Sequence, residues 1–183
     1  MGGNWFVDAG AVLGGTGEFE GKYIKVSDGG ILQPGHDGIG TLTVSAYTYT
    51  EFERDEFGNV VYDPITYLPN PLYYTEGKVF LSDASILDFE FGAPGTSDRI
   101  DTYDLQLDGV MKVNNAGGLD AGRYRVMTYS NALTDNSMTL SFAETDFTGF
   151  LPATVKDAPV ADYLAEFSFV EVAAGNVDVR IQG

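Results

Sequence analysis

The apolar runs of this chain are short, and several of them are apolar at every second residue. Leu42, Val44 and Ala46 alternate with Thr43 and Ser45, and Leu87, Phe89 and Phe91 with Asp88 and Glu90. Leu105 and Leu107 flank Gln106, Tyr124 and Val126 interleave with Arg123 and Arg125, and Val177, Val179 and Ile181 alternate with Asp178 and Arg180. A side-chain period of two describes a strand with one face turned inward, so the chain is expected to be all-β. Between the runs stand Asp28-Gly29-Gly30, Pro34-Gly35, Asp37-Gly38, Pro94-Gly95, Gly117-Gly118 and Ala174-Gly175-Asn176. These supply the positive or fixed φ that tight turns need. The last of them joins the alternating runs 167–172 and 177–181 and predicts a C-terminal closing hairpin. One stretch reads differently. Asp157 can cap a helix, Pro159 suits a first turn, and Val160, Leu164 and Phe167 share a face, so helix is expected at most over 157–167.

Composition narrows what such strands can be used for. With 183 residues, 44% of them hydrophobic, the chain can bury a core of its own, and residues 1–183 read as one module. Asp and Glu number 27 against 10 Lys and Arg, a formal charge of −17. Such a surface repels phosphate backbones and anionic lipid heads, so neither nucleic acid nor a membrane surface is an expected partner. The absence of cysteine removes disulfides, thiolate metal sites and thiol nucleophiles. No run is apolar enough to insert in a membrane as a helix, and Met1-Gly2-Gly3-Asn4-Trp5 has neither the basic nor the apolar region of a signal peptide.

Residues 51–76 break the pattern. They contain Pro64, Pro69, Pro71 and the turn Asp55-Glu56-Phe57-Gly58-Asn59. They are expected to form an inserted hairpin followed by an extended loop, standing away from the main body. Tyr47, Tyr49, Phe52, Tyr62, Tyr67, Tyr73 and Tyr74 concentrate around this insertion. Such a cluster suits a carbohydrate or protein contact surface, or equally a small satellite core. Asp55, Glu56, Asn59 and Asp63 offer hard oxygen ligands in what reads as a single turn, which makes calcium the one candidate ion. An ordinary Asx-type turn explains the same four residues, and their spacing is not that of an EF-hand.

The order of motifs adds a resemblance. Residues 11–35 carry Ala-Val-Leu-Gly-Gly-Thr-Gly-Glu-Phe-Glu-Gly and later Tyr-Ile-Lys-Val-Ser-Asp-Gly-Gly-Ile-Leu-Gln-Pro-Gly, and residues 40–44 read Gly-Thr-Leu-Thr-Val. Ser85-Ile-Leu-Asp-Phe-Glu-Phe, Ser97-Asp98-Arg99-Ile100, Leu107-Asp108-Gly109-Val110 and Gly122-Arg-Tyr-Arg-Val-Met follow. Across residues 10–130 this series resembles the passenger-associated repeat of bacterial autotransporters and related surface proteins. The resemblance implies a right-handed parallel β-helix in an extracellular, non-enzymatic structural or adhesive role at a bacterial cell surface. Periodicity alone would equally allow a β-sandwich. The chain departs from the pattern at residues 51–76, where the family often runs straight on, and it resembles the passenger part only.

Two other functions compete. A polysaccharide lyase or hydrolase on the same scaffold would need paired carboxylates, and Asp98/Asp101/Asp104, Asp55/Glu56/Asp63 and Asp83/Asp88 are the candidate clusters. Clusters are expected by chance in so acidic a chain, and Asp98 reads better as a corner residue that satisfies backbone N–H groups. His36 is the single histidine, and no G-x-S-x-G elbow accompanies it, so no catalytic residue is assigned. No cofactor is expected, since Gly14-Gly15-Thr16-Gly17 lacks the lysine and the helix of a phosphate loop. The remaining alternative is a self-assembling fibre subunit, associating through an open N-terminal end at residues 5–13.

Overall fold

The computed structural model describes residues 3–36, 38–142 and 168–181. Among these there is no helix, and the chain is all-β. The helix expected over 157–167 lies outside the described residues. The strands are β1 (Gly3–Val7), β2 (Val12–Gly15), β3 (Gly17–Val26), β4 (Ile31–Pro34), β5 (Thr41–Ser45), β6 (Tyr47–Phe52), β7 (Pro71–Glu76), β8 (Lys78–Leu81) and β9 (Ile86–Phe91). After them come β10 (Arg99–Thr102), β11 (Asp104–Leu107), β12 (Val110–Asn115), β13 (Gly122–Tyr129), β14 (Leu133–Asp135), β15 (Thr139–Phe142), β16 (Phe169–Ala173) and β17 (Asn176–Ile181).

Strand pairing is mostly parallel, in eleven ladders against three antiparallel ones among the described residues. One parallel series runs β1-β3-β8-β11-β14, a second β2-β4-β9-β12-β15, and a third β3-β5-β10-β13. The chain visits the three in the same order each time. β3 is long enough to serve twice: Gly17–Glu20 pairs with β5, and Tyr23–Val26 pairs with β8. It thereby joins the first and third series into one mixed ten-stranded sheet, closed at its far side by the antiparallel strands β17 and β16. The expected closing hairpin is therefore present.

The alternation read from the sequence becomes burial here. In β4, β5, β9, β10 and β11 every second residue is buried. Pairing in register then sets the buried residues in columns. Val7 lies beside Val26 and Val26 beside Leu81. Leu32, Leu87 and Met111 form a second column, capped by the half-buried Leu13 and Leu140. Leu42, Ile100, Met127 and Val177 form a third. All three belong to one apolar core.

Corners need glycine where the backbone comes close. Gly109 has φ +81°, and a Cβ there would meet the Ser85 carbonyl oxygen at 2.5 Å. Asp98 holds another corner. Its fully buried carboxylate accepts the Gly40 N–H at 2.7 Å and the Glu90 N–H at 2.8 Å, so one side chain ties three segments together. At the closing hairpin the buried Asp178 receives Arg123 at 2.6 Å and Arg125 at 2.9 Å.

The insertion differs from expectation at its boundaries and in its form. Its strands begin at Tyr47, before residue 51, and its two flanks pair with each other from Tyr47↔Glu76 to Phe52↔Pro71. There is no trailing extended loop. Two small turns branch from the end of the stem, one closed by the Arg54↔Val60 bridge and the other by Tyr62↔Pro69. No residue between Val44 and Val79 belongs to the core.

Leu87 sits at the centre of its column and is completely buried. Truncating it leaves a cavity among neighbours fixed by the ladder. Leu87→Ala is expected to destabilise the fold by about 2–5 kcal/mol, and an exposed change such as Thr48→Ala by less than about 0.5 kcal/mol, both read from denaturant midpoints.

Candidate contact surface on the inserted hairpin

The stem of the hairpin carries a row of tyrosines. Cross-strand register places Tyr49 opposite Tyr74 and Tyr47 opposite Glu76. The Tyr47 and Tyr49 rings stack at 5.9 Å with an interplanar angle of 19°, and Tyr49 stacks on Tyr74 at 5.4 Å and 24°. Lys22 of β3 reaches over Tyr49, 3.8 Å from the ring centroid, and lies 3.8 Å from Glu76. This cation anchors the base of the hairpin against the main body, and the Tyr49 hydroxyl, 3.1 Å from Glu76, adds to the anchor. At the base, Gly77 and Ala46 touch: a Cβ on Gly77 would meet Ala46 Cα at 2.9 Å.

Beyond the stem the side chains are open to solvent. Phe57, Tyr62, Ile65, Tyr67 and Leu68 are all exposed, as is Tyr73 on the stem itself. A satellite core would have buried them, so the structure places these residues as surface. A hollow of about 510 Å³ lies along the stem beside Glu51, Phe52, Arg54, Leu72 and Tyr74.

The calcium candidates do not all share one turn: Asp55, Glu56 and Asn59 lie in the first, and Asp63 in the second. Asp55 closes the first branch, accepting the N–H groups of Phe57 and Asn59, both at 2.9 Å, and the Asn59 amide at 3.1 Å. Asp63 closes the second, accepting the N–H groups of Ile65 at 2.9 Å and Thr66 at 2.7 Å and the Thr66 hydroxyl at 3.0 Å. These bonds hold both carboxyls below the usual carboxylate range, the Asn59 side chain contributing most at Asp55 and the Thr66 N–H at Asp63. Glu56 is exposed and Asn59 is part of the Asp55 turn. Among the described residues no group of three or more acidic or histidine side chains is placed to hold a metal ion.

The other acid clusters disperse as well. Asp98 faces inward, Asp101 on β10 accepts from Arg99 of the same strand and from Thr128 of β13, and Asp104 holds the Asn131 amide at 2.8 Å and the Ala132 N–H at 3.0 Å. Asp83 is exposed in the turn after β8, whereas Asp88 pairs with Asn114 at 2.7 Å. A hollow of about 290 Å³ beside Asp101 is otherwise lined by Thr43, Thr102, Thr128, Ser130 and their neighbours, and it contains that one carboxylate. His36 is exposed in the corner after β4. At the N-terminal edge, Trp5 and Phe6 are exposed but lie edge-on against Phe19 and Tyr23, at 5.5 and 5.7 Å.

Sequence reasoning missed Lys22 as the anchor of the insertion and missed the branching of its tip. The signal for the first was only a lysine in a strand; for the second, it was the repeated Asp at the start of each turn. The chain matches no protein-family model, and no curated protein matches it in sequence.

Burial acts on Asp98 in the opposite sense to the two turn aspartates. Desolvation pushes its carboxyl up to about 6, against the pull of the Glu90 and Gly40 N–H groups. A folded pKa above the unfolded value means the folded state binds more protons between about pH 4 and 6, so the Asp98 contribution to stability falls as pH rises through that window. The stability of the wild type minus that of Asp98→Asn should therefore decline from pH 4 to pH 6 and then level off. A difference that rises over that window contradicts the assignment. Asp98→Ala, which strands two buried N–H groups, should cost about 2 kcal/mol or more near pH 4, and its cost should decline over the same window.

Proposed function

We propose that the chain is a segment of a right-handed parallel β-helix and that its role is structural: a non-enzymatic stalk section outside a bacterial cell, with the inserted hairpin as its contact element. The observation that carries this reading is the fixed order in which the chain visits its three parallel series, stacking a buried column in each. A chain that repeatedly returns parallel to itself through two other strands coils, and such crossovers are right-handed in the great majority of cases. The motif order across residues 10–130, which resembles autotransporter passengers, points the same way. Such a coil makes a stiff rod, and a rod that carries a projecting aromatic hairpin presents that hairpin to its surroundings.

The scattered carboxylates favour scaffold over catalyst. Glycoside hydrolysis needs two acids flanking one bond, and the candidate acids are dispersed: Asp55, Asp63, Asp98 and Asp104 bind backbone N–H groups, Asp88 an amide, and Asp101 an arginine and a hydroxyl.

The test is removal of residues 47–76 with Ala46 joined to Gly77, since the two already touch at the base. The shortened chain should keep its β circular dichroism and unfold within about 1 kcal/mol of the parent, because a surface insertion contributes little once its ends are fixed. Beads coated with the parent should adhere to protein- or polysaccharide-coated surfaces, and beads coated with the shortened chain should not. Equal adhesion by both, or turnover of a polysaccharide by the parent, overturns the reading.

A further inference from the structure

The outer end of the hairpin combines three properties that narrow what it can contact. The first is apolar exposure of a mixed kind. Ile65 is 85% exposed and Leu68 64%, beside Tyr67 at 79% and Phe57 at 80%. A sugar stacks on flat ring faces and gains little from branched aliphatic side chains. The stem rings do not offer such faces freely, because Tyr47, Tyr49 and Tyr74 stack on one another and Lys22 covers Tyr49. Aromatic and aliphatic groups together suit the apolar side chains of a polypeptide.

The second property is charge. Residues 47–76 contain Glu51, Glu53, Asp55, Glu56, Asp63 and Glu76 against the single base Arg54. That arginine is turned into its own loop, donating to the Gly58 carbonyl at 2.7 Å. Asp55 and Asp63 are held below the ordinary carboxylate range, so the charge at the tip persists into mild acid.

The third is backbone strain at an exposed aromatic. Tyr67 has φ +56°, a conformation that glycine adopts freely and a tyrosine does not. Its N–H donates to the Asp63 carbonyl at 2.9 Å, so the turn itself needs the conformation and not the side chain. A ring standing where glycine would be easier points to the side chain as the part that is used.

We propose, on the reading of the hairpin as the contact element, that its outer end docks a basic polypeptide: a lysine- and arginine-rich segment of a partner protein with interspersed apolar residues. The apolar residues pack against Ile65, Tyr67 and Leu68. The partner's cations meet the surrounding carboxylates and the open tyrosine faces, in the way Lys22 already lies on Tyr49. Anionic lipids and nucleic acids are repelled by the same charge.

The test uses a short fluorescent peptide alternating lysine and arginine with leucine and tyrosine, titrated by anisotropy against the full chain. Binding should weaken with salt as the charges are screened, and Glu51→Gln with Glu56→Gln should flatten that dependence. Tyr67→Gly should leave thermal stability unchanged or raised while weakening the peptide by about tenfold, as expected for an aromatic hot spot. The chain lacking residues 47–76 should not bind. Equal binding by that shortened chain, or by a lysine–glycine peptide in place of the probe, would show attraction to the acidic body alone and overturn the proposal. Should the peptide be ignored while hairpin-dependent adhesion to polysaccharide persists, the contact element stands and the basic partner falls. Loss of hairpin dependence in both assays removes both.

Discussion

Each strand of the three parallel series completes its backbone hydrogen bonds on a strand that the chain reaches only after passing through two other series. Val7 pairs with Val26, and Val26 with Leu81, with a whole hairpin inserted between the last two. No such strand is satisfied by its sequence neighbour. The arrangement holds only if successive passes arrive in register, and the buried columns fix that register. A slip of one residue in β9 would turn Leu87, Phe89 and Phe91 outward and bring Asp88 and Glu90 into the core. Corners follow from the same demand. Asp98 and Gly109 stand where successive passes approach closely, and each is set by a neighbouring segment: Gly40 and Glu90 at the first, Ser85 at the second.

The charge of −17 sits on this frame without a matching set of bases. Many outward carboxylates are met instead by neutral donors one strand away in the same series. Asp88 holds the Asn114 amide, Asp104 the Asn131 amide, Asp108 the Asn136 amide and Asp101 the Thr128 hydroxyl. Such pairs keep the charge in water while adding a side-chain bond to the backbone ladder, so neighbouring strands gain cohesion without bringing like charges together. At the buried Asp178 of β17, one strand in from the sheet edge, two arginines meet the carboxylate.

Much of this was legible in the residues. The alternating runs around 42–46, 87–91, 105–107, 123–126 and 177–181 are strands, because a period of two leaves little other choice when one face is apolar. Each turn singled out by glycine contains one at positive φ, as at Gly29, Gly95 and Gly175. The corner role of Asp98 could be argued from its neighbours in sequence. What alternation cannot encode is the partner of each strand: period two is the same in a parallel ladder and in an antiparallel one, and only the order of motifs distinguished them. The hairpin was misjudged for a related reason. Prolines at 64, 69 and 71 read as an unpaired loop, yet Pro69 sits in a bridge with Tyr62, and Pro71 opens β7 at the stem end opposite Phe52, where its missing N–H does little harm. Placing Asp55 and Asp63 in one turn failed because each aspartate closes a turn of its own.

Parallel register is the claim on which the rest stands, and it has a direct chemical readout. β5 and β10 are paired Thr41 to Arg99 and Thr43 to Asp101. The chain has no native cysteine, so introduced pairs report alone. In the parallel arrangement, cysteines at 41 and 99, or at 43 and 101, stand within disulfide reach and should oxidise readily in the folded protein. Crossed pairs at 41 and 101, or 43 and 99, should stay reduced. The opposite result, with the crossed pairs bridging and the straight pairs free, would mean that these strands run antiparallel and would contradict the account.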